Sequence, residues 1–182
     1  MINKNVAVRL ATVSDIDSIE QLMKRSMMLL GKGYYTEKQL EACCRFVCVP
    51  DRQLIEDQTF FVAVAEGGVV VGCGGWSFRN KLHAGPKLDD SKNLSLNPSF
   101  DHARIRAMFV DPAHSRKGIA TKIMEASIQA AKLYGFSKGI LGATLSGVDF
   151  YISKGWKHLV EEESELPDGT SITVVTMEKV FD

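Results

Sequence analysis

A short basic turn between two regular segments is the stretch of this sequence best suited to do chemistry. The segment Ile105–Val110 predicts a strand that stops at Asp111-Pro112, and a helical pattern begins near Ile119. The turn between them carries the positive side chains of Arg116 and Lys117. Several free backbone N–H groups and the positive end of the helix dipole would meet there. These features predict a binding site for a phosphate or pyrophosphate group.

Two common phosphate-binding motifs do not fit this turn. The P-loop needs Lys and then Ser or Thr after its last glycine, but Ile119 follows Gly118. The dinucleotide fingerprint needs three glycines at fixed spacing, and only Gly118 is present. Both readings are therefore excluded.

The turn resembles the [QR]-x-x-G-x-[GA] loop of the GCN5-related N-acetyltransferases. The segment Ser115–Ala120 matches that loop at Gly118 and Ala120. It departs at Ser115, where the family usually has Gln or Arg, and Arg116 carries a positive charge one place later.

Two flanking segments strengthen the resemblance. Upstream, RAMFVDP is similar to the family's central strand, which ends in an apolar-Val-x-Pro pattern. Downstream, Phe150–Trp156 resembles the family's FY-x-x-x-GF signature at its last helix. The three elements occur in the family's order, and the resemblance covers roughly residues 6 to 181. The sequence is identified as a member of this superfamily.

Length and composition indicate one globular domain, residues 1–182. Apolar residues make up 45% of the chain and charged residues 24%, which is ordinary for such a domain. The 22 basic residues balance the 22 acidic ones, so no overall field favours nucleic acid. No apolar run approaches the ~18 residues of a membrane helix, and the N-terminus lacks a signal-peptide core. We therefore expect a cytoplasmic protein without a nucleic-acid or membrane partner.

The cysteines do not indicate a metal site. Cys43, Cys44, Cys48 and Cys73 lack Cys-x-x-Cys spacing and a nearby His. We expect free, mostly buried thiols and no bound metal.

The order of apolar patterns predicts a single-domain α/β fold, a mixed sheet of about seven strands with four helices. This is also the element order of the acyl-CoA N-acyltransferase fold. The predicted strands are Val6–Leu10, Thr59–Ala65, Val69–Phe78, Ala103–Val110, Lys138–Gly142, Trp156–Glu163 and Ile172–Val180. The predicted helices are one capped by Ser14 and reaching about Leu29, one capped by Thr36 and ending before Pro50, Gly118–Tyr134 and Gly147–Lys154.

Two irregular features accompany this pattern. Gly72, Gly74 and Gly75 lie inside a predicted strand, which indicates a bulge or a close backbone approach. The stretch Arg79–His102 shows no period, and a loop of that length is usually functional or mobile.

The resemblance implies direct transfer of an acetyl group from acetyl-CoA to the amine of a small molecule or peptide. Acetyl-CoA would lie in a V-shaped gap between the central strand and the next one. The backbone of Met108 would stabilise the oxyanion, Val110 would pair with the pantetheine amide, and Tyr151 would protonate the leaving thiolate. The implied cofactor-binding residues are Met108, Val110, Ser115, Arg116, Lys117, Gly118, Ile119, Ala120, Thr144 and Tyr151.

The general base is not assigned by the resemblance. Many members carry a Glu on the central strand, but this strand reads Arg104-Ile105-Arg106. The candidates are His83, Asp101 and His102, or a chain of waters.

Strand alternation suggests what the acceptor carries. Arg104, Arg106, Met108 and Val110 would share one face of a regular strand. Two arginines in the gap would suit a carboxylate or phosphate on the acceptor. Alternatively, both arginines pair with acidic residues of the fold, such as Asp101 or the Glu161–Glu163 run, and a bulge in this strand would shift the parity.

Two functions remain open at this point. One is an active acetyl-CoA-dependent N-acetyltransferase, favoured by Tyr151 and the uninterrupted loop around Gly118. The other is a non-catalytic module of the same fold that binds or senses acyl-CoA. The sequence is compatible with a monomer or a homodimer.

Overall fold

The computed structural model describes residues 6–80 and 94–182, and these residues form one seven-stranded sheet with five α-helices. The strands are β1 (Ala7–Leu10), β2 (Phe60–Val64), β3 (Val70–Ser77), β4 (Ala103–Val110), β5 (Lys138–Thr144), β6 (Lys157–Glu165) and β7 (Ser171–Val180). The helices are α1 (Ile16–Leu30), α2 (Glu37–Phe46), α3 (Arg52–Glu56), α4 (Ile119–Tyr134) and α5 (Val148–Ser153). The predicted fold class and the seven strands are confirmed.

Among the described residues, α3 is the one α-helix that the sequence pattern does not predict. It has five residues, too few to show a helical period. Its N-terminus is capped by Asp51, whose carboxylate accepts a hydrogen bond from the Gln53 N–H at 3.1 Å.

The sheet runs in the order β1-β2-β3-β4-β5-β7-β6, and β4 and β5 are its one parallel pair. That pair is matched only at Ala103–Gly139 and Arg104–Ile140. On its other edge β5 pairs with β7 along all seven of its residues. Beyond Arg104, β4 therefore diverges from β5 and leaves a V-shaped gap in the middle of the sheet.

The helices cover both faces of the sheet. One core cluster joins α1, α2 and α3 to the sheet, with Ile19, Leu40 and Leu54 buried in it. Two other clusters pack α4 and α5 against the opposite face, including Ile123 and Tyr151. The gap between β4 and β5 consequently connects the two helical layers.

Local capping explains the helix boundaries, with one correction to the sequence reading. Thr36 caps α2 as predicted, and its hydroxyl accepts a hydrogen bond from the Gln39 N–H at 3.3 Å. The predicted cap at Ser14 is wrong: a 3₁₀ turn precedes α1, and the Asp15 carboxylate accepts from the Thr12 N–H at 2.8 Å. Gly135 ends α4 in the left-handed conformation, at φ +114°.

The glycines of β3 are associated with a close approach of neighbouring atoms and with a bulge, the two features that the sequence indicates. A Cβ at Gly72 would lie 2.6 Å from a methyl carbon of Ile119, so this strand admits α4 closely. A Cβ at Gly75 would lie 2.4 Å from the Thr59 carbonyl oxygen. The pairing of β3 with β4 also shifts register between Cys73 and Gly75.

A comparison of two alanine variants tests this packing. We expect Gly75→Ala to lower the free energy of unfolding by about 1–3 kcal/mol, because the obstacle is a backbone carbonyl that cannot move away. Gly74→Ala should cost less, since its nearest obstacle is the flexible Met108 thioether at 2.8 Å. Urea denaturation of both variants measures the difference, and equal losses would contradict the close approach at Gly75.

Candidate functional site

A cavity of about 860 Å³ passes through the gap between β4 and β5. We call the end formed by the turn before α4 and the start of that helix the loop end; Arg116, Gly118 and Thr121 line it. We call the other end, formed by α1, α2 and the β6–β7 hairpin, the hairpin end. The hairpin end is lined by Met23, Ser26, Met27, Leu30, Tyr34, Val47, Ser164, Leu166, Ile172 and Val174.

The loop end has the geometry of an anion site. Gly118 precedes α4 at φ +78°, and a Cβ there would meet nothing within 4 Å. The first N–H groups of α4 have no partner within the helix, by helix geometry. The first turn of α4 contains no acidic residue, so no carboxylate opposes an anion.

The turn before Gly118 is held by its own side chains. The Ser115 hydroxyl donates to the Pro112 carbonyl at 2.9 Å, and the Lys117 ammonium donates to the Ala113 carbonyl at 3.0 Å. Arg116 adopts φ +61°, a left-handed conformation that favours glycine. Ser115, Arg116, Gly118, Ile119 and Ala120 all line the cavity, whereas Lys117 does not.

A bulge in β4 aims its backbone into the gap. Ala107 has φ +53°, and two residues of β4 stand opposite one residue of β3 at this point. The Asp111 N–H donates to the Val71 carbonyl on β3 at 2.9 Å. Because N–H groups alternate along a regular strand, that of Val110 points away from β3 and toward the gap, and Met108, inside the bulge, lines the same cavity.

The bulge overturns the predicted face of the two arginines. Met108 and Val110 pack against the cluster of α4 that contains Ile119 and Ile123. Arg104 and Arg106 precede the bulge and alternate with Ile105, which packs on that same α4 side. The prediction that these four side chains share one face is therefore wrong.

Arg106 is a buried partner of the fold. Its side chain is 4% exposed, and its guanidinium donates to the Asp51 carboxylate at 2.8 Å. Arg106 also lines the cavity. The predicted alternative, that Arg106 pairs with an acidic residue of the fold, is confirmed, but the partner is Asp51 and not Asp101 or the Glu161–Glu163 run.

Arg104 is a separate case. Its guanidinium donates to the Asn80 side-chain oxygen at 2.6 Å, and it does not line the cavity. Burial lowers the pKa of Arg104, and the negative charge of Asp101 raises it by a smaller amount.

Tyr151 and Thr144 both line the cavity beside the gap. Tyr151 is buried, with its ring edge-on to Trp156 at 6.1 Å and to Phe150 at 5.2 Å. Burial raises its pKa well above the usual value for tyrosine, so the phenol keeps its proton into the alkaline range. Thr144 ends β5, with its hydroxyl 3.3 Å from the Ser146 hydroxyl.

Two of the three predicted base residues, Asp101 and His102, lie away from the site. Asp101 accepts a hydrogen bond from the Asn97 N–H at 2.7 Å, and His102 lies 3.4 Å from the Glu178 carboxylate. Both lie at the start of β4, at the other end of the strand from the bulge, and neither lines the cavity. His83 falls outside the described residues. Among the described residues, Asp149 supplies the one carboxylate that lines the cavity.

Sequence reasoning missed a charged cluster beside the loop end. The Arg25 guanidinium on α1 donates to the Asp111 carboxylate at 2.9 and 2.5 Å, which ties α1 to the end of β4. The same carboxylate lies 3.6 Å from the His114 ring nitrogen, and His114 lines the cavity. Burial raises the Asp111 pKa, but the hydrogen bonds from Arg25 and the Ala113 N–H outweigh it and leave the pKa below its usual value. The one signal of this cluster in the sequence was a histidine two places after Pro112, next to the predicted phosphate-binding turn.

Tyr35 is a second residue that the sequence did not single out. Its hydroxyl donates to the Thr173 carbonyl at 2.7 Å and accepts from the Leu145 N–H at 2.9 Å. It thereby joins the start of α2 to β7 and to the segment after β5, and it holds the hairpin end together.

The described residues contain neither a metal-binding cluster nor a membrane-spanning helix. Residues 6–80 and 94–182 contain no group of three or more His, Cys, Asp or Glu side chains placed to hold a metal ion. Within the same ranges no helix is long and apolar enough to span a membrane. The four cysteines are free, as predicted, and burial raises the pKa of Cys43 to about 11.

Comparison with known proteins decides the family. Residues 19–151, most of the chain, match the model of the Acetyltransferase (GNAT) family. The chain belongs to this family. No curated protein matches it.

Solved structures of GNAT-family proteins share the fold at low sequence identity. A GCN5-related N-acetyltransferase from Rhodopseudomonas palustris has a TM-score of 0.75 at 19% identity, over 100% of this chain and 99% of that one. The PaiA N-acetyltransferase of Thermoplasma acidophilum, in complex with coenzyme A, has 0.65 at 14%, over 97% and 99%. The protein yncA of Salmonella typhimurium, with its cofactor acetyl-CoA, has 0.61 at 16%, over 98% and 95%.

The left-handed conformation of Arg116 in this GNAT loop gives a testable difference between two variants. Arg116→Ala and Arg116→Gly both remove the charge, but only alanine keeps a Cβ at φ +61°. We expect the glycine variant to be more stable than the alanine variant by about 1 kcal/mol, after the larger unfolded-state entropy of glycine is included. Urea denaturation without ligand measures this. An alanine variant at least as stable as the glycine variant would mean that the loop relaxes out of this conformation.

Proposed function

We propose that this protein is an acetyl-CoA-dependent N-acetyltransferase that transfers the acetyl group directly to an amine. The observation that carries the proposal is the continuous cavity. It joins the helix start at Gly118 to a strand gap that is lined by Met108, Val110 and the protonated Tyr151. Coenzyme A and acetyl-CoA in the solved relatives named above support the choice of cosubstrate.

The cavity fits the parts of acetyl-CoA in order. The pyrophosphate would be held by the backbone N–H groups of residues 116–120 and by the charge of Arg116. The pantetheine arm would lie in the gap between β4 and β5, with an amide carbonyl accepting from the Val110 N–H. The thioester oxygen would accept from the Met108 N–H, and Thr144 would border the same arm.

Each proposed step uses a group of this chain. The amine nitrogen attacks the thioester carbonyl carbon, a C–N bond forms and the C–S bond breaks. The Met108 N–H stabilises the negative charge that develops on the thioester oxygen. The acceptor ammonium first loses one proton through the hairpin end to solvent. The Tyr151 hydroxyl then gives its proton to the departing sulfur, and the second proton that the nitrogen loses on becoming an amide restores the hydroxyl. The products are an N-acetylated amine and free CoA thiol.

Two glycines provide a matched test of acetyl-CoA binding. Gly118 and Gly169 have φ +78° and +80°, and a Cβ at either would meet nothing within 4 Å. Valine at either position therefore strains the backbone alike, but only Gly118 lies at the loop end. At 100 times the dissociation constant, acetyl-CoA should stabilise the parent and Gly169→Val by about 2.7 kcal/mol, and Gly118→Val much less.

Unfolding in the presence and absence of acetyl-CoA measures these gains. A Gly118→Val variant that gains as much as Gly169→Val would contradict the assignment of the loop end to the pyrophosphate.

Tyr151→Phe tests the proton donor. The ring and its packing remain while the hydroxyl is lost, so acetyl-CoA binding should change little and kcat should fall by about 10²–10⁴-fold. Because the pKa of Tyr151 is raised, the parent should keep its activity on the alkaline side up to at least about pH 10, the ordinary tyrosine value. The assay is CoA thiol release across the pH range with a panel of amines.

Two results would count against the enzyme assignment. Parent-like turnover of Tyr151→Phe at every pH would make Tyr151 structural. Acetyl-CoA binding without thiol release for any amine would favour the alternative function, a non-catalytic module that binds acyl-CoA.

A further inference from the structure

We infer that the acceptor is a primary amine bearing an uncharged apolar group, seated at the hairpin end of the cavity. The inference rests on the proposed function, because it takes the gap beside the Met108 N–H as the place where the amine meets the thioester. It replaces the acidic acceptor that the regular-strand reading of Arg104 and Arg106 suggested.

The hairpin-end wall is mainly apolar. Three different elements contribute apolar side chains to it, so the apolar character is not an accident of one helix. These side chains are Met27, Leu30, Val47, Leu166, Ile172 and Val174. The polar groups among the described residues of this wall are the hydroxyls of Ser26, Tyr34 and Ser164, which are uncharged.

The hairpin end offers no unpaired charge among its described lining residues. Arg106 is the one charged side chain of the described residues that lines the cavity on this face of the sheet, and the Asp51 carboxylate neutralises it at 2.8 Å. Glu163 lies on the hairpin, but it accepts a hydrogen bond from the Thr173 hydroxyl and does not line the cavity. His114, Arg116, Asp149 and Lys154 line the cavity from the loop before α4 and from α5.

These two observations select among amines. A second ammonium or a carboxylate at the far end of the acceptor would give up water without finding an opposite charge, which is unfavourable. An apolar group would leave water for the Met, Leu, Val and Ile side chains, which is favourable. Leu30 and Tyr34, 38% and 52% exposed, lie toward solvent, whereas Met23 and Val174 are buried. The wall therefore admits an acceptor from outside and remains apolar along its depth.

Three amines of equal length test the inference. Hexylamine, 6-aminohexanoate and 1,5-diaminopentane each carry five methylenes after the amino group and then end in a methyl, a carboxylate or an ammonium. Their reacting amino groups resemble that of lysine, with pKa values near about 10.4. We expect kcat/KM, measured as CoA thiol release from acetyl-CoA, to be at least about 10-fold higher for hexylamine than for either charged amine.

A pair of lysine variants locates the preference. Leu30 lines the hairpin end, whereas its neighbour Leu29, 58% exposed, does not. We expect Leu30→Lys to reduce the hexylamine kcat/KM and to raise the ratio of 6-aminohexanoate to hexylamine by about 10-fold. Leu29→Lys adds the same charge outside the cavity and should keep the parent's ratio.

Binding measurements separate this inference from the proposed function. Calorimetric titration of the three amines into the protein saturated with CoA should rank hexylamine first, by at least about 10-fold in affinity, whether or not turnover occurs. Absence of thiol release with that ranking intact would refute the transferase and keep the apolar acceptor site. Equal or tighter binding of 6-aminohexanoate or diaminopentane, or equal responses of Leu30→Lys and Leu29→Lys, would overturn the inference.

Discussion

The site depends on the early separation of β4 from β5. The two strands are matched at only two residue pairs, in the middle of a sheet where neighbouring strands normally satisfy each other's backbone groups. The Val110 N–H, which points away from β3, therefore needs a partner from outside the sheet. A β-bulge reinforces the separation, because Ala107 is held at φ +53°, a conformation that costs an alanine roughly 1–2 kcal/mol. The Cys73 thiol donates to the Ala107 carbonyl at 3.6 Å and Arg106 is anchored by Asp51, so the fold supports the bulge on both sides.

Electrostatics divide the cavity along its length. At the loop end, Arg116 and the start of α4 present positive charge and free N–H groups. The nearby Arg25 adds less positive potential, because its guanidinium donates to the Asp111 carboxylate. The pKa of Asp111 is below its usual value, so the carboxylate stays negative beside Arg25. At the hairpin end, Arg106 is the one charged side chain among the described lining residues, and it is paired with Asp51. An anionic cosubstrate and the uncharged acceptor group proposed above would thus be directed to opposite ends of one passage.

Features of the fold that depend on neighbouring residues were predictable from the sequence, whereas features that depend on distant contacts were not. The turn at Gly118, the cap at Thr36, the end of α4 at Gly135 and the close approach at the β3 glycines follow from residue type and immediate neighbours. The bulge at Ala107 has no such signal, since alanine ordinarily favours negative φ. One extra residue reversed the faces of Arg104 and Arg106 relative to Met108. The partner of Arg106 lies 55 residues away, in a helix too short to be read from the sequence.

The apolar hairpin end offers a physical reason why the amine could lose its proton without an assigned general base. An alkyl amine with a pKa near about 10.4 is neutral in roughly one molecule in a few thousand at pH 7. Enzymes commonly meet this problem with a carboxylate near the nucleophile, but β4 offers arginines, and Asp101 lies at its far end. Desolvation disfavours the charged form of a group and so lowers the pKa of a buried amine. The apolar wall at the hairpin end acts on the ammonium in that direction, so the surface that would select the acceptor would also favour loss of its proton. In the same passage burial raises the pKa of Tyr151, so the phenol would remain a proton donor at alkaline pH as well. The low-polarity interior would therefore favour the neutral amine and the neutral phenol together.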